Sequence, residues 1–226
     1  MDEAEKRRVI RDAATVILLR EHKGRDQVLM GQRGSGAVFM PNKYVFPGGA
    51  VDAADYTIEP ARPLAPPEAV KLAKQAPEGA GVAAAMAAVR ELWEETGLML
   101  GIKGQGPEAP PADWRGFFER GLRPRADVFR FVFRAVTPPG RPRRFDARFF
   151  MADVGAVHGS AEDFSGASDE LSHLHWIDLD EAKSLDLPFI TEVVLSEVLA
   201  IRADPAAPRR TPFFHHDETR SHFSLL

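Results

Sequence analysis

Glu91, Glu94 and Glu95 fall within five positions of one another in VRELWEETGL (89–98), directly before Thr96 and Gly97. On a helix, positions i, i+3 and i+4 share one face, so the three carboxylates point the same way. Like charges at this spacing repel by roughly 0.2–0.5 kcal/mol per pair. Anions near the carbonyl end of a helix cost a further 0.3–1 kcal/mol each, roughly. Arg90 offsets one charge, not three. Three clustered carboxylates are the ligand type of a hard divalent cation, Mg2+ or Mn2+, and such an ion would offset the remainder. The alternative is a solvated acidic face that tolerates a small cost.

The elements that would position these acids follow from the pattern. Val82–Thr96 carries apolar residues at helical spacing (Val82, Ala85, Met86, Val89, Leu92, Trp93), and Gly97 is placed to stop the helix. Upstream, Ala13–Arg20 reads as a buried strand and Gln27–Gln32 as its hairpin partner. Tyr44–Phe46 is a short strand ended by Pro47-Gly48-Gly49. Strands are also expected over Asp127–Thr137, Arg144–Val154 and Leu174–Ile177. A short helix is expected over Asp113–Gly121, another opened by a capping box at Asp178 and Glu181, and a long one over Thr191–Ala203. Residues 57–80 are rich in Pro and Ala and read as an inserted surface segment or lid with one short helix near Pro67–Gln75. The tail from Asp204 is expected to run over the surface. Strands on both sides of a long central helix, with a second helix near the end, imply an α+β fold with a mixed sheet between helices.

Composition sets the outer limits. The 226 residues suit one domain, 1–226. The absence of cysteine excludes disulfides and thiolate chemistry. No apolar run reaches the roughly 20 residues that span a membrane. The start lacks the apolar core of a signal peptide, so a cytoplasmic protein is expected. Net charge of −4 does not suggest a nucleic-acid binder. Residues 115–148, however, hold ten arginines against three acids, a candidate cationic wall for an anionic ligand. The oligomeric state, a homodimer included, is left open.

PGGAVDAAD (47–55) followed by AAVRELWEETGL (87–98) resembles the Nudix box: Gly, five residues, Glu, seven residues, then Arg-Glu-U-x-Glu-Glu-x-Gly-U, with U aliphatic. The second half matches at Arg90, Glu91, Leu92, Glu94, Glu95, Gly97 and Leu98. The first half departs twice. Asp55 stands where the pattern has Glu, and 34 residues separate Asp55 from Arg90 where the pattern has seven. The extra 27 residues coincide with the Pro/Ala segment.

The resemblance implies an α/β/α sandwich and Mg2+- or Mn2+-dependent hydrolysis of a nucleoside diphosphate linked to another group. It implies that Glu91, Glu94 and Glu95, with the Gly48–Gly49 backbone, hold the metal. It implies that Arg90 orients the acids, by pairing with one of them or with Asp55. Glu94 and Arg90 are thereby catalytic candidates, with Glu170 of SDELSHLHW as the general base and Glu162 or Asp163 as its alternatives. Arg33, Phe39, Arg130 and Arg148 are the substrate-binding candidates. The arginines suit phosphate. Phe39, Phe117 and Phe118 could stack an adenine or pack in the core. The interrupted box, FMPNKYVFPGG and LPFITEVVLSEVLA are similar to a Nudix branch that contains coenzyme A diphosphatases, which implies CoA or acyl-CoA as substrate. The alternatives are an ADP-ribose or dinucleotide pyrophosphatase and, from another class, a nucleotide-sensing module without catalysis.

Overall fold

β1 (Ile10–His22) divides the molecule by simple alternation. Val16 and Leu18 point to one side and Ile17 and Leu19 to the other, and all four are buried. A strand buried on both faces needs a layer on each side. In the computed structural model, which describes residues 9–34, 36, 40–216 and 220–226, both layers are helical.

Along the chain β1 is followed by β2 (Arg25–Arg33), β3 (Tyr44–Val45), β4 (Gly48–Ala50), α1 (Pro66–Ala73) and α2 (Ala80–Thr96). Then come β5 (Gly101–Lys103), α3 (Ala112–Glu119), β6 (Leu122–Pro124), β7 (Arg130–Val136), β8 (Arg144–Asp153) and β9 (Leu171–Asp178). The chain closes with α4 (Phe189–Ala203), β10 (Pro212–His216) and β11 (Ser221–Leu225). The main sheet runs β11-β10-β7-β8-β1-β2-β3, with β4 on β1 and β9 on β2. β1 pairs parallel to β8 and β10 parallel to β7, while the other pairs are antiparallel, so the sheet is mixed. β5 and β6 form a separate two-stranded ribbon.

α2 covers one face. Its alanines, 83–85 with 87 and 88, are buried and let the helix approach Ala14, Val16 and Leu18 closely. α4 covers the other face with Val194, Leu195, Val198 and Ile201 against Ile17, Leu19, Val132 and Phe133. This is the expected sandwich. α2 ends as the sequence indicates: Gly97 has φ 79° and donates its N–H to Trp93 O at 2.7 Å.

Three local expectations need correction. The tail is not a surface coil, because β10 and β11 extend the sheet. Asp178 does not open a helix; it ends β9, where it accepts from Arg25 and Gln27, and only a 3-10 turn follows at Glu181–Ser184. α4 starts two residues before Thr191, which is buried. Segment 57–80, expected to be an inserted surface segment or lid with a short helix, has that helix and is anchored in the core. Ile58, Leu64 and Leu72 belong to the core under α2, and Leu72 packs on Gly81. Gly81 lies ten residues from Glu91, about 15 Å along the helix, so this part of the insertion sits away from the acids.

Candidate functional site

The site forms where the edge of β1 passes from one partner to another. Residues Leu19–His22 pair with β2, and Ala13–Thr15 pair with β4. β4 enters through two glycines at close approaches, one to backbone and one to a carboxylate. A Cβ on Gly48 would lie 2.4 Å from Ala14 O, and a Cβ on Gly49 would lie 2.4 Å from Glu91 Oε1. The Pro-Gly-Gly turn thus lets the backbone touch both the sheet and an acid of α2.

Arg90, almost fully buried, organises the acids. Its Nε and Nη2 donate to the two oxygens of Asp55, each at 3.0 Å, and Nη2 also reaches Ala50 O. Nη1 donates to Glu91 Oε1 and Glu94 Oε2, both at 2.9 Å. Both pairings implied by the sequence are therefore made at once. Asp55 is fully buried and also accepts from the Asp52 backbone N–H (2.9 Å) and from the Trp114 indole N–H (2.9 Å). The real capping box of the chain is here, with Asp52 and Asp55 closing the short 3-10 turn Ala53–Thr57.

Glu95 turns to the other side. It is 2% exposed and accepts the Gly48 N–H at 2.7 Å. Burial pushes Glu95 well above the ordinary carboxylate range, Glu91 adds to the push, and the Gly48 N–H opposes it. Burial likewise raises Glu91 to about 7, against the pull of Arg90 and with help from Glu94 and Glu170. Glu94 is raised by burial and held back by Arg90. Burial disfavours the Arg90 cation, yet Asp55, Glu91 and Glu94 keep it above its ordinary value.

Glu170 lies at the rim, 57% exposed, with Oε1 at 3.5 Å from Arg33 Nη2. Its charge acts on both Glu91 and Glu95, and the charge of Arg33 acts on Glu95. The buried Nε of Arg33 has no partner among the described residues. The loop carrying Glu170 is tied to α2 by Ser168 N–H to Glu94 O (3.0 Å). The alternative bases are engaged elsewhere, Glu162 by Arg20 and Asp163 by the Ser165 N–H.

Arg148 and Arg130 are not brought here. Arg148 is fully buried on β8, bonded to Asp12 at 2.6 Å, and serves the interior. The arginine-rich pattern misled because β8 is a central strand whose residues face helices on both sides. Arg130 lies at the start of β7 in a shallow recess with Lys71, Glu197, Arg209 and Arg210, between α1 and α4. Phe39 lies outside the described residues. Phe117 is buried and Phe118 packs against it and Trp114, so both serve the core. Trp114 and Asp52 were not singled out by spacing. A buried tryptophan needs an acceptor for its N–H, and that need is the signal that could have linked Trp114 to a buried acid.

The residues fit a divalent cation. All donors are hard oxygens, Arg90 is shared among three carboxylates, and the Gly49 cradle leaves Glu91 against bare backbone. Among the described residues no three such groups are already set around one point, because Nη1 of Arg90 stands between Glu91 and Glu94.

No family model matches the sequence. Known proteins do. Nudix hydrolase 7 of Caenorhabditis elegans is 29% identical over 189 positions, covering 76% of this chain and 52% of that protein. Acyl-coenzyme A diphosphatase NUDT19 of Gallus gallus is 32% identical over 128 positions, covering 43% of this chain and 34% of that protein. The solved structure of a Nudix hydrolase from Alicyclobacillus acidocaldarius superposes with a TM-score of 0.62 at 27% identity, over 85% of this chain and 92% of that one. In sequence and in fold the chain is similar to Nudix hydrolases. It spans about half the length of the first of these curated relatives and about a third of the second. Across the insertion Asp55 still pairs with Arg90 through both of its oxygens. No helix among the described residues is long and apolar enough to cross a membrane.

Proposed function

We propose that the protein is a divalent-metal-dependent hydrolase that cleaves the pyrophosphate of a nucleoside diphosphate linked to another group, with CoA or an acyl-CoA as substrate. The observation that carries the reading is the Asp55–Arg90 clamp, which fixes Glu91 and Glu94 beside buried Glu95 and the Gly48–Gly49 turn. Glu91, Glu94 and Glu95, with backbone oxygen from the turn, would hold Mg2+ or Mn2+. When bound, such an ion neutralises pyrophosphate oxygens and lowers the pKa of water. The chain's own residues do the rest. Arg90 keeps the acids in place. Arg33, which faces Glu170 at the rim and whose Nε has no partner among the described residues, would meet a phosphate oxygen. Glu170 takes a proton from the attacking water at the open rim, and Arg33 holds that carboxylate until substrate arrives. The chicken acyl-CoA diphosphatase supports the choice of CoA.

The test is Mg2+-dependent turnover against CoA, an acyl-CoA, ADP-ribose, NADH and diadenosine polyphosphates. Preferred cleavage of CoA to a 3′,5′-bisphosphorylated adenosine and phosphopantetheine is expected. Preference for ADP-ribose or a dinucleotide would keep the chemistry and overturn the substrate. Binding without turnover of any of them would make the protein a nucleotide sensor.

A further inference from the structure

We infer that Trp114, outside the box and in a different helix, is a positioning residue for the acid site, acting through Asp55 and Arg90 on Glu91 and Glu94. The inference rests on the reading above, in which these glutamates hold the ion.

Asp55 has four donors on its two oxygens. Oδ1 takes Arg90 Nε and Trp114 Nε1, while Oδ2 takes Arg90 Nη2 and the Asp52 N–H. The carboxylate is thus pinned from three directions. Arg90 is planar, so fixing Nε and Nη2 on Asp55 fixes where Nη1 points, and Nη1 is the group that holds both Glu91 and Glu94. Where the Nudix box has glutamate, this chain has the shorter Asp55. A short side chain reaches Arg90 only if it is held at the right angle, and the indole N–H supplies that hold.

Trp114 is itself immobile. It is fully buried and lies edge-on to Phe117 at 5.4 Å. Phe117 in turn meets Trp93 of α2 at 5.8 Å, edge to face, and Gly116 leaves no room for a Cβ beside the Trp93 ring. The aromatic cluster of α3 therefore references the clamp to the helix that carries the acids. Such outer supports typically change metal affinity or activity by roughly 10–100-fold when removed.

The experiment compares Trp114→Phe, Phe117→Leu and the parent. Mn2+ binding is followed by electron paramagnetic resonance and metal-free stability by urea unfolding. Trp114→Phe should weaken Mn2+ binding about 10-fold. Phe117→Leu, which disturbs the same cluster without losing the N–H, should lose comparable stability while binding Mn2+ within 2-fold of the parent, roughly. Adding Asp55→Glu to Trp114→Phe should recover at least half of the lost affinity on a logarithmic scale, because the longer carboxylate reaches Arg90 unaided. If Trp114→Phe does not fold, benzothienylalanine at 114, which keeps the ring shape and lacks the N–H, carries the same comparison. Equal Mn2+ affinity in parent and Trp114 variant overturns the inference and leaves the proposed function standing. A parent that binds no Mn2+ overturns both.

Discussion

Glu95 is held at a cost, and the size of that cost can be bounded from its surroundings. The side chain is buried, it receives the Gly48 N–H, and Glu91 lies beside it. In metal-free protein the group either stays charged inside the fold or takes a proton. Protonation sets the ceiling. Taking a proton at pH 7.5, by a group whose ordinary value is 4.5, costs about 4 kcal/mol, at ~1.36 kcal/mol per pH unit. The floor is relief of the repulsion from Glu91 and from the helix C-terminus, about 0.5–1.5 kcal/mol. Glu95→Gln removes the charge and keeps both the shape and the acceptor for Gly48. In chelator at pH 7.5 the variant should be more stable than the parent by about 0.5–4 kcal/mol, which for a chain of this length raises Tm by roughly 1–16 °C. The sign with pH follows from linkage. The folded parent holds its proton to higher pH than the unfolded chain, so parent stability falls as pH rises above the unfolded value, while Gln does not titrate. The advantage of the variant should therefore be small near pH 4.5 and grow toward neutrality. Urea unfolding in EDTA across this range measures it. Saturating Mg2+ should reverse the order, because the parent gains more binding free energy. A variant less stable than the parent in EDTA at pH 7.5, or an advantage of equal size at pH 5 and 7.5, refutes the reasoning.

Removing the metal should abolish turnover of any pyrophosphate substrate, and full activity in excess EDTA would exclude the metal role. Glu170→Gln should lower kcat by about 10²–10⁴-fold with little change in Mn2+ affinity, as a general base does; a loss below a few-fold in pre-steady-state assays moves the role elsewhere. Arg148→Met should leave KM for the best substrate unchanged while lowering stability in urea unfolding, because it strips Asp12 of its partner, whereas replacing both members of a buried pair by apolar bulk is often neutral; a large rise in KM would return Arg148 to the substrate. Leu72→Ala should cost about 2–5 kcal/mol in urea unfolding, the range for a core leucine; a cost below 1 kcal/mol, roughly, would restore the insertion as a passive loop.

The sequence made α2 and its stop legible because helical periodicity, small residues and Gly97 agree with one another. It also exposed Arg90, Glu91, Glu94 and Glu95, since charge placed against the helix dipole demands an explanation. β10 and β11 escaped because their reason lies elsewhere, at the edge of β7 that they cover. Asp178 and Glu181 had the spacing of a capping box, but Asp178 is taken by Arg25 across the β2–β9 pair. Arg148 shows the same limit. A run of arginines reads as surface until strand order is known, and β8 is central because β1 pairs parallel to it across more than a hundred residues. Trp114 was invisible for the reason it matters, since its partner lies 59 positions away.

The split box bears on how the molecule comes together. Asp55 meets Arg90 across 35 positions and Trp114 across 59. Compared with the uninterrupted spacing of eight, closing the first loop costs about 1.3 kcal/mol more entropy. Ile58, Leu64 and Leu72, docked under α2, help to hold that loop shut. The clamp should therefore consolidate late in refolding, after α2 has formed on β1. A growing chain that has passed residue 98 and not yet reached 114 already carries the three glutamates and lacks the indole that sets their register.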